Sequence, residues 1–154
     1  MKISTKARHA VTAMMDLAIN DRYGPVSLLD ISRCQGISLS YLEQLFAKLR
    51  KDGLVIGTRG PGGGYRLTCA PSHISIAQVV STVEEHNRPH GAAKISMQFS
   101  EDCLTHRLWD DLSARLYTYL DGISLDDCIH HPEFGNANSS STGRDHMFPR
   151  KSAA

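Results

Sequence analysis

The sequence lacks long apolar runs, paired cysteines and any recognisable catalytic constellation. The chain has no stretch of about 18 apolar residues, the length needed to span a bilayer, and its N-terminus lacks the apolar run of a signal peptide. A cytoplasmic protein is therefore expected. A disulfide framework and a tetrathiolate zinc site are not indicated, since no CxxC pair links Cys34, Cys69, Cys103 and Cys128. The spacing indicates no Ser-His-Asp triad or carboxylate pair, and 154 residues exclude a large multidomain enzyme.

Charge is unevenly distributed along the chain. The net charge is only +1, but residues 1–66 carry ten basic against five acidic side chains, and residues 67–154 carry seven against eleven. A basic segment joined to an acidic one suggests a nucleic-acid partner, although such a division often reflects ordinary solvated surfaces. The local motifs must decide between the two.

The first half of the chain has the pattern of a helix-turn-helix. A first helix over 4–20 is indicated by apolar residues at three- and four-residue steps. A second helix follows Ser27 and stops at Gly36, and a third carries a Ser40–Glu43 capping box. The third helix has an inward stripe of Leu42, Leu45, Phe46 and Leu49. Two short helices around a glycine-containing turn are typical of a helix-turn-helix.

A glycine-rich hairpin follows the third helix. Residues 54–58 and 64–68 are predicted strands, joined by the run RGPGGG, which is too rich in glycine to pack a core. A nucleotide-phosphate loop is the rival interpretation of this run, but the required Lys-[Ser/Thr] and following helix are absent. The predicted fold is therefore mainly α with a small β-wing, a winged helix-turn-helix.

The second half contains one modest and one long helix. The modest helix starts at Ser75, residues 86–100 lack periodicity, and the long helix spans about 101–121. Leucines recur along the long helix at four-residue spacing: Leu104, Leu108, Leu112, Leu116 and Leu120. Such a stripe is either the core of a second domain or a dimer seam, and its length favours a homodimer seam. A short helical turn after Ser124 and a disordered tail over 131–154 complete the prediction.

The predicted DNA contacts follow from where a winged helix-turn-helix places its second helix and its wing. The second helix of the motif enters the major groove, where glutamine can pair with adenine and glutamate with cytosine. A narrow basic tip led by Arg59 suits a minor groove, and glycine N–H groups can approach phosphates. The predicted contacts are Ser38, Ser40, Tyr41, Glu43, Gln44 and Lys48 on the helix, and Arg59, Gly60, Pro61, Gly62, Gly64 and Tyr65 on the wing.

Four segments resemble the IscR-type family of winged-helix transcription regulators. They are ISLSYLEQLFAKLRKDGLV (37–55), RGPGGGY (59–65), the opening KARHAVTAMMDLA and CLTHRLWDDLSARL (103–116). The resemblance covers about residues 1–130 and implies a homodimeric, sequence-specific DNA-binding regulator. It also implies a DNA-binding domain over 1–85, a cluster-binding loop over 86–100, and a dimerisation helix with a short C-terminal helix over 101–130.

The chain departs from that family in the loop that would hold an iron-sulfur cluster. The resemblance implies three cysteines at six-residue spacing and then a histidine as ligands of a [2Fe-2S] centre. Cys103 and His106 match the last pair, but the two earlier positions fall on Met97 and Gly91. A thioether is a much poorer donor than a thiolate, and glycine has no side chain to offer.

Three outcomes are open for this loop. The cluster site is lost, it is rebuilt with His86, His90 or ligands of the partner subunit, or Cys103 acts alone as a redox-responsive thiol. We expect the first, a regulator without an intact cluster. A cluster-free regulator controlled by docking a protein partner is the alternative from another functional class.

Overall fold

The computed structural model describes residues 3–84 and 104–130, without the side chains of Leu104 and His106. The described helices are α1 (Thr5–Asn20), α2 (Leu28–Gln35), α3 (Leu39–Lys51), α4 (Ile76–Val83), α5 (Leu104–Asp121) and α6 (Leu125–His130). The strands are β1 (Val55–Thr58) and β2 (Gly64–Leu67). The predicted loop over 86–100, Cys103 and the tail over 131–154 lie outside the described residues. The mainly α fold with a two-stranded wing is confirmed.

Helix α1 packs through a face of small residues. Ser4 caps it, because its hydroxyl accepts a hydrogen bond from the Ala7 N–H at 3.1 Å. Three alanines on this face are fully buried, so neighbouring helices can approach the α1 backbone closely. The fully buried side chains around them come from all parts of the fold: Met14, Leu17, Ile31, Leu42, Phe46, Leu49, Val79 and Leu125.

The turn between α2 and α3 fixes where the helix-turn-helix bends. Ser27 caps α2 by accepting from the Leu29 N–H at 3.1 Å, and Gly36 ends it at φ +65°, a left-handed conformation that glycine adopts without strain. The Ser32 hydroxyl donates to the Ile37 carbonyl at 2.6 Å across the turn, and Ile37 is buried. These contacts hold α3 directly against α2.

The predicted capping box of α3 is wrong. The helix begins at Leu39, so Ser38 is the N-cap and Ser40 already lies in the first turn. The Ser38 hydroxyl makes no capping hydrogen bond. The buried Ile37 and the left-handed Gly36 bring the chain into helical geometry before it reaches Ser40, which leaves Ser40 and Glu43 exposed and outside any cap.

The wing is anchored to the loop before α2. Its strands pair antiparallel with Val55 opposite Leu67 and Thr58 opposite Gly64. Tyr65 exchanges two backbone hydrogen bonds with Val26, at 2.8 and 2.9 Å, which adds an isolated bridge beside β2. The hairpin base is therefore fixed to the helical core, although each strand has only four residues.

Gly64→Ala is expected to destabilise the protein, since a Cβ there would lie 2.3 Å from the carbonyl oxygen of Val26. Backbone atoms held by the Val26–Tyr65 bridge cannot rotate away, so we expect a loss of roughly 1 to 3 kcal/mol in the free energy of unfolding. Gly57→Ala is the matched control, because its Cβ would meet only the Tyr65 ring at 3.9 Å. Urea unfolding of both variants measures the difference, and equal stability would contradict the contact.

Capping boxes stabilise the first turns of α4 and α6. Ser75 and Gln78 cap α4 reciprocally, as do Ser124 and Asp127 for α6. The α5–α6 turn is bonded to the segment before α4, because the Ile76 N–H donates to Ile123 at 2.8 Å and the Leu125 N–H to Ile74 at 2.9 Å. Helix α6 therefore shares the core of the N-terminal helices.

The scattered cysteines do not behave as one group. Isolated free cysteines are usually small buried hydrophobes, but Cys34 and Cys69 are exposed. Cys128 is partly buried against the core. The amphipathic periodicity of α2 turns Cys34 outward, since Leu28 and Ile31 are the buried residues of that helix.

Candidate nucleic-acid interface

Helix α3 presents a continuous solvent-facing surface. Its buried residues all lie on one side, and every one of them belongs to the core. The remaining sides carry exposed residues of mixed chemistry: Leu39, Ser40, Glu43, Gln44, Ala47, Arg50 and Lys51, with exposed Ser38 just before them. The structure thus brings Ser38, Ser40, Glu43 and Gln44 together at the amino-terminal end of one exposed helix surface.

Tyr41 and Lys48 lie on the flank of this surface and are only partly exposed. The Tyr41 ring meets the His9 ring edge to face, with centroids 5.7 Å apart. Within the described residues, His9 Nδ1 is the buried side-chain nitrogen that has no hydrogen-bond partner. The contact with α1 limits the positions that the Tyr41 side chain can take.

The wing tip, residues 59–62, is exposed and carries one long side chain, that of Arg59. Arg59, Gly60, Pro61 and Gly62 are all exposed, and the Gly63 N–H closes the turn on the Gly60 carbonyl at 2.9 Å. Gly60 and Gly62 have φ of +105° and +75°, which explains the need for glycine at these two positions. The tip therefore offers one guanidinium group and open backbone to a partner.

Gly64 and Tyr65, also predicted as DNA contacts, sit at the base of the wing. The Tyr65 ring packs on Phe46 with centroids 5.0 Å apart and is partly buried. Gly64 lies against the Val26 carbonyl. Both residues thus have a packing role that the sequence did not reveal.

A salt bridge that the sequence did not predict also holds the base of the wing in place. The Asp21 carboxylate accepts from Arg66 Nε at 3.1 Å and from the Leu67 N–H at 3.3 Å. The hydrogen bond from Arg66 to Asp21, together with the attraction of the Asp21 charge, raises the pKa of Arg66 above its ordinary value. The partners are 45 residues apart, so no local pattern in the sequence could have indicated the pair. Asp21 thus ties the end of α1 to β2.

The described residues contain no group of three or more His, Cys, Asp or Glu side chains that could hold a metal ion. Although Cys34 is exposed, partial desolvation of its thiol raises the pKa of Cys34, and the negative charges of Asp16 and Asp30 add to this shift. Burial and Asp127 raise the pKa of Cys128. Neither shift favours the thiolate form, which is the form that ligates iron. Cys103 and the His106 side chain lie outside the described part of the chain.

The thiol content of the sequence does not fit a cysteine-ligated cluster. From Glu85 to His106 inclusive the sequence offers one cysteine and three histidines. Iron-sulfur clusters are held mainly by thiolates, with histidine as a partial substitute. Cys103 is thus the sole thiolate that this segment could supply.

No helix within residues 3–84 and 104–130 has the length and apolar character needed to cross a membrane.

Comparison with known proteins places this architecture in a family. The chain matches the Rrf2 family, described as an iron-dependent transcriptional regulator, over residues 3–131. It is 56% identical over 128 residues to the HTH-type transcriptional regulator IscR of Aliivibrio salmonicida (strain LFI1238), covering 81% of this chain and 75% of that one. The corresponding regulator of Klebsiella pneumoniae (strain 342) is 48% identical over 148 residues, covering 96% and 88%.

Solved structures agree with the sequence matches. T. potens IscR superposes with a TM-score of 0.72 at 36% identity, over 93% of this chain and 94% of that one. CymR (YrzC), the global cysteine regulator of B. subtilis, superposes with a TM-score of 0.70 at 33% identity, over 84% and 96%. The curated relatives carry the names of transcription regulators, which agrees with the prediction that the chain is not an enzyme. The chain belongs to the Rrf2 family and is a DNA-binding, winged helix-turn-helix transcription regulator of the IscR type.

Proposed function

We propose that the chain binds double-stranded DNA as a homodimer, with α3 in the major groove and the wing tip in the minor groove, without an iron-sulfur cluster. The observation that carries the proposal is the exposed, largely polar surface of α3 together with an exposed wing tip that carries Arg59. In this proposal residues 1–85 read the DNA and α5 joins the two protomers. Residues 86–100 then serve as a connection without cluster ligands.

The amino-terminal half of α3 supplies the chemistry for reading bases. The Gln44 amide can donate to adenine N7 and accept from its N6 amino group, and the Glu43 carboxylate can accept from cytosine N4. The Ser40 hydroxyl can serve a base or a phosphate. All three side chains are exposed, which leaves them accessible to a duplex.

Phosphate contacts would fix the position of α3 on the duplex. Its first-turn N–H groups have no side-chain cap, since the Ser38 hydroxyl makes no such bond, and they carry the positive end of the helix dipole. Lys48 and Lys51 lie on the same helix and can neutralise further phosphates. Tyr41, with its ring held by His9, is the proposed contact on the flank. This part of the interface predicts affinity that falls steeply with salt.

The wing tip is the proposed minor-groove contact. Arg59 is exposed, and the two left-handed glycines and Pro61 around it add little width. An arginine in a narrow minor groove is attracted by the enhanced negative potential of A·T tracts. We assign Gly64 and Tyr65 to the base of the wing, where they position Arg59 and its neighbours.

Selection from a random duplex pool tests the DNA-binding part of the proposal. The full-length protein should enrich a two-fold symmetric sequence and protect it in a footprint. The logarithm of the binding constant should fall linearly with the logarithm of salt concentration. Failure to enrich any sequence would contradict the assignment and favour the alternative, a scaffold that docks a protein partner.

The homodimer rests on an apolar face of α5 formed by Leu108, Trp109, Leu112 and Tyr119. These side chains are 60%, 54%, 42% and 63% exposed in the single chain. A contiguous apolar patch of large residues is typical of a protein-protein interface. Leu120 on the same helix packs against the core, so α5 can hold a second copy while staying fixed to its own protomer.

Cluster-free operation is tested by iron analysis and Cys103→Ala. Protein purified without oxygen should contain less than stoichiometric iron and sulfide, because the sequence lacks two of the expected thiolates. Cys103→Ala should leave operator affinity unchanged under reducing and oxidising conditions. Absorption between about 300 and 600 nm that disappears in Cys103→Ala would contradict the proposal and support a rebuilt cluster. Redox-dependent affinity without iron would instead assign Cys103 as a lone redox thiol.

A further inference from the structure

Leu39 is an apolar side chain placed among the proposed reading groups of α3. Every other large apolar side chain of that helix is buried, with Leu42, Phe46 and Leu49 completely inaccessible. Leu39 is instead 37% exposed, and it is the first residue of the helix, between Ser38 and Ser40. Leu39 is thus outside the hydrophobic core that contains the other leucines of the helix.

Leu39 lies on the same side of α3 as Glu43, one of the proposed base-reading residues. The two residues are four apart on one helix, so their side chains lie one turn above the other on the same side. Glu43 is exposed and is the proposed acceptor for a cytosine amino group. A side chain one turn nearer the helix N-terminus would reach the neighbouring base pair in the same groove.

We propose that Leu39 reads the C5-methyl group of a thymine next to the base contacted by Glu43. This inference rests on the proposed function, because it requires α3 in the major groove. The thymine methyl is the one apolar group that a base pair presents in that groove, and it is normally recognised by an apolar side chain. Leu39 would thus add a thymine to the half-site, and the polar residues around it would read hydrogen-bonding groups.

Deoxyuridine provides a test, since it differs from thymidine only by this methyl group. The duplex enriched from the random pool by the wild-type protein is resynthesised with each thymine replaced in turn. We expect one position in each half-site at which replacement weakens wild-type binding about fourfold, the value for one methyl group leaving water. In Leu39→Ala, deoxyuridine at that position should no longer weaken binding. The variant and the wild type should bind the substituted duplex with equal affinity.

Leu29→Ala is the matched control, because Leu29 is 42% exposed on α2 and is not on the proposed reading helix. It should keep the wild-type response at every position. Sequence-specific binding with the same deoxyuridine response in wild type and Leu39→Ala would overturn this inference and leave the proposed function intact. Absence of an enriched sequence would overturn both.

Discussion

Leu112→Glu should convert the proposed dimer into monomers and lower affinity for the two-half-site operator by about a hundredfold or more. The side chain lies within the apolar face of α5, so a carboxylate there would be desolvated without a partner in the dimer. Losing the second protomer removes the high effective concentration that links two half-sites, a factor of roughly 10² to 10⁴. Analytical ultracentrifugation and titration of the duplex measure the two effects.

Ala114→Glu is the matched control for this variant. Ala114 is exposed on α5 but lies on a different side of the helix from Leu108, Leu112 and Tyr119. The same new charge there should leave the protein dimeric. Affinity for a duplex with one half-site should be the same in both variants and the wild type, because the reading surface is unchanged. A dimeric Leu112→Glu protein, or a monomeric Ala114→Glu protein, would refute the assignment of the seam.

The elements that the sequence predicted well are those defined by neighbouring residues. The periodic apolar residues of α1 and the left-handed glycine at 36 act within one or two helical turns, and the structure confirms them. Each wing strand is one residue shorter than predicted, at the end away from the hairpin tip. Leu54 and Thr68 remain hydrogen-bonded there, with the Thr68 N–H donating to the Leu54 carbonyl at 3.2 Å.

The details that sequence reasoning missed depend on distant partners. The bridge between Val26 and Tyr65 and the pairing of Asp21 with Arg66 join segments about 40 residues apart, and no local pattern indicates them. The start of α3 was misplaced because a Ser-x-x-Glu spacing is only a local signal. Burial of Ile37 decides where that helix begins.

The proposed interface likewise contains residues that a local sequence motif identified and one residue that it did not. Polar residues at the start of α3 were identifiable from their position in the motif. Leu39 was not, since the predicted Ser40–Glu43 capping box placed it before the start of the helix. Only its 37% exposure, against complete burial of Leu42 and Leu49, separates it from the core.

Arg59→Ala and Gln44→Ala should each weaken operator binding by roughly 1 to 3 kcal/mol, or about 5- to 150-fold in Kd. Both side chains are exposed, so their removal should leave the fold intact. Gln44→Ala should relax the preference at one base position of each half-site, because its amide contacts a single base edge. Arg59→Ala should relax the preference for A·T pairs over the width of the minor groove.

Lys51→Ala and Arg107→Ala separate base reading from general electrostatic attraction. Lys51 is a proposed phosphate contact, so its loss should weaken all duplexes about equally and reduce the salt slope by about one. Arg107 is exposed on α5, which is not part of the proposed reading surface, so its loss should change neither the affinity nor the salt slope. Unchanged affinity in both Arg59→Ala and Gln44→Ala would refute the assigned reading residues. A uniform loss across all sequences would instead reduce these two side chains to phosphate contacts, since only a base contact can change which sequence is preferred.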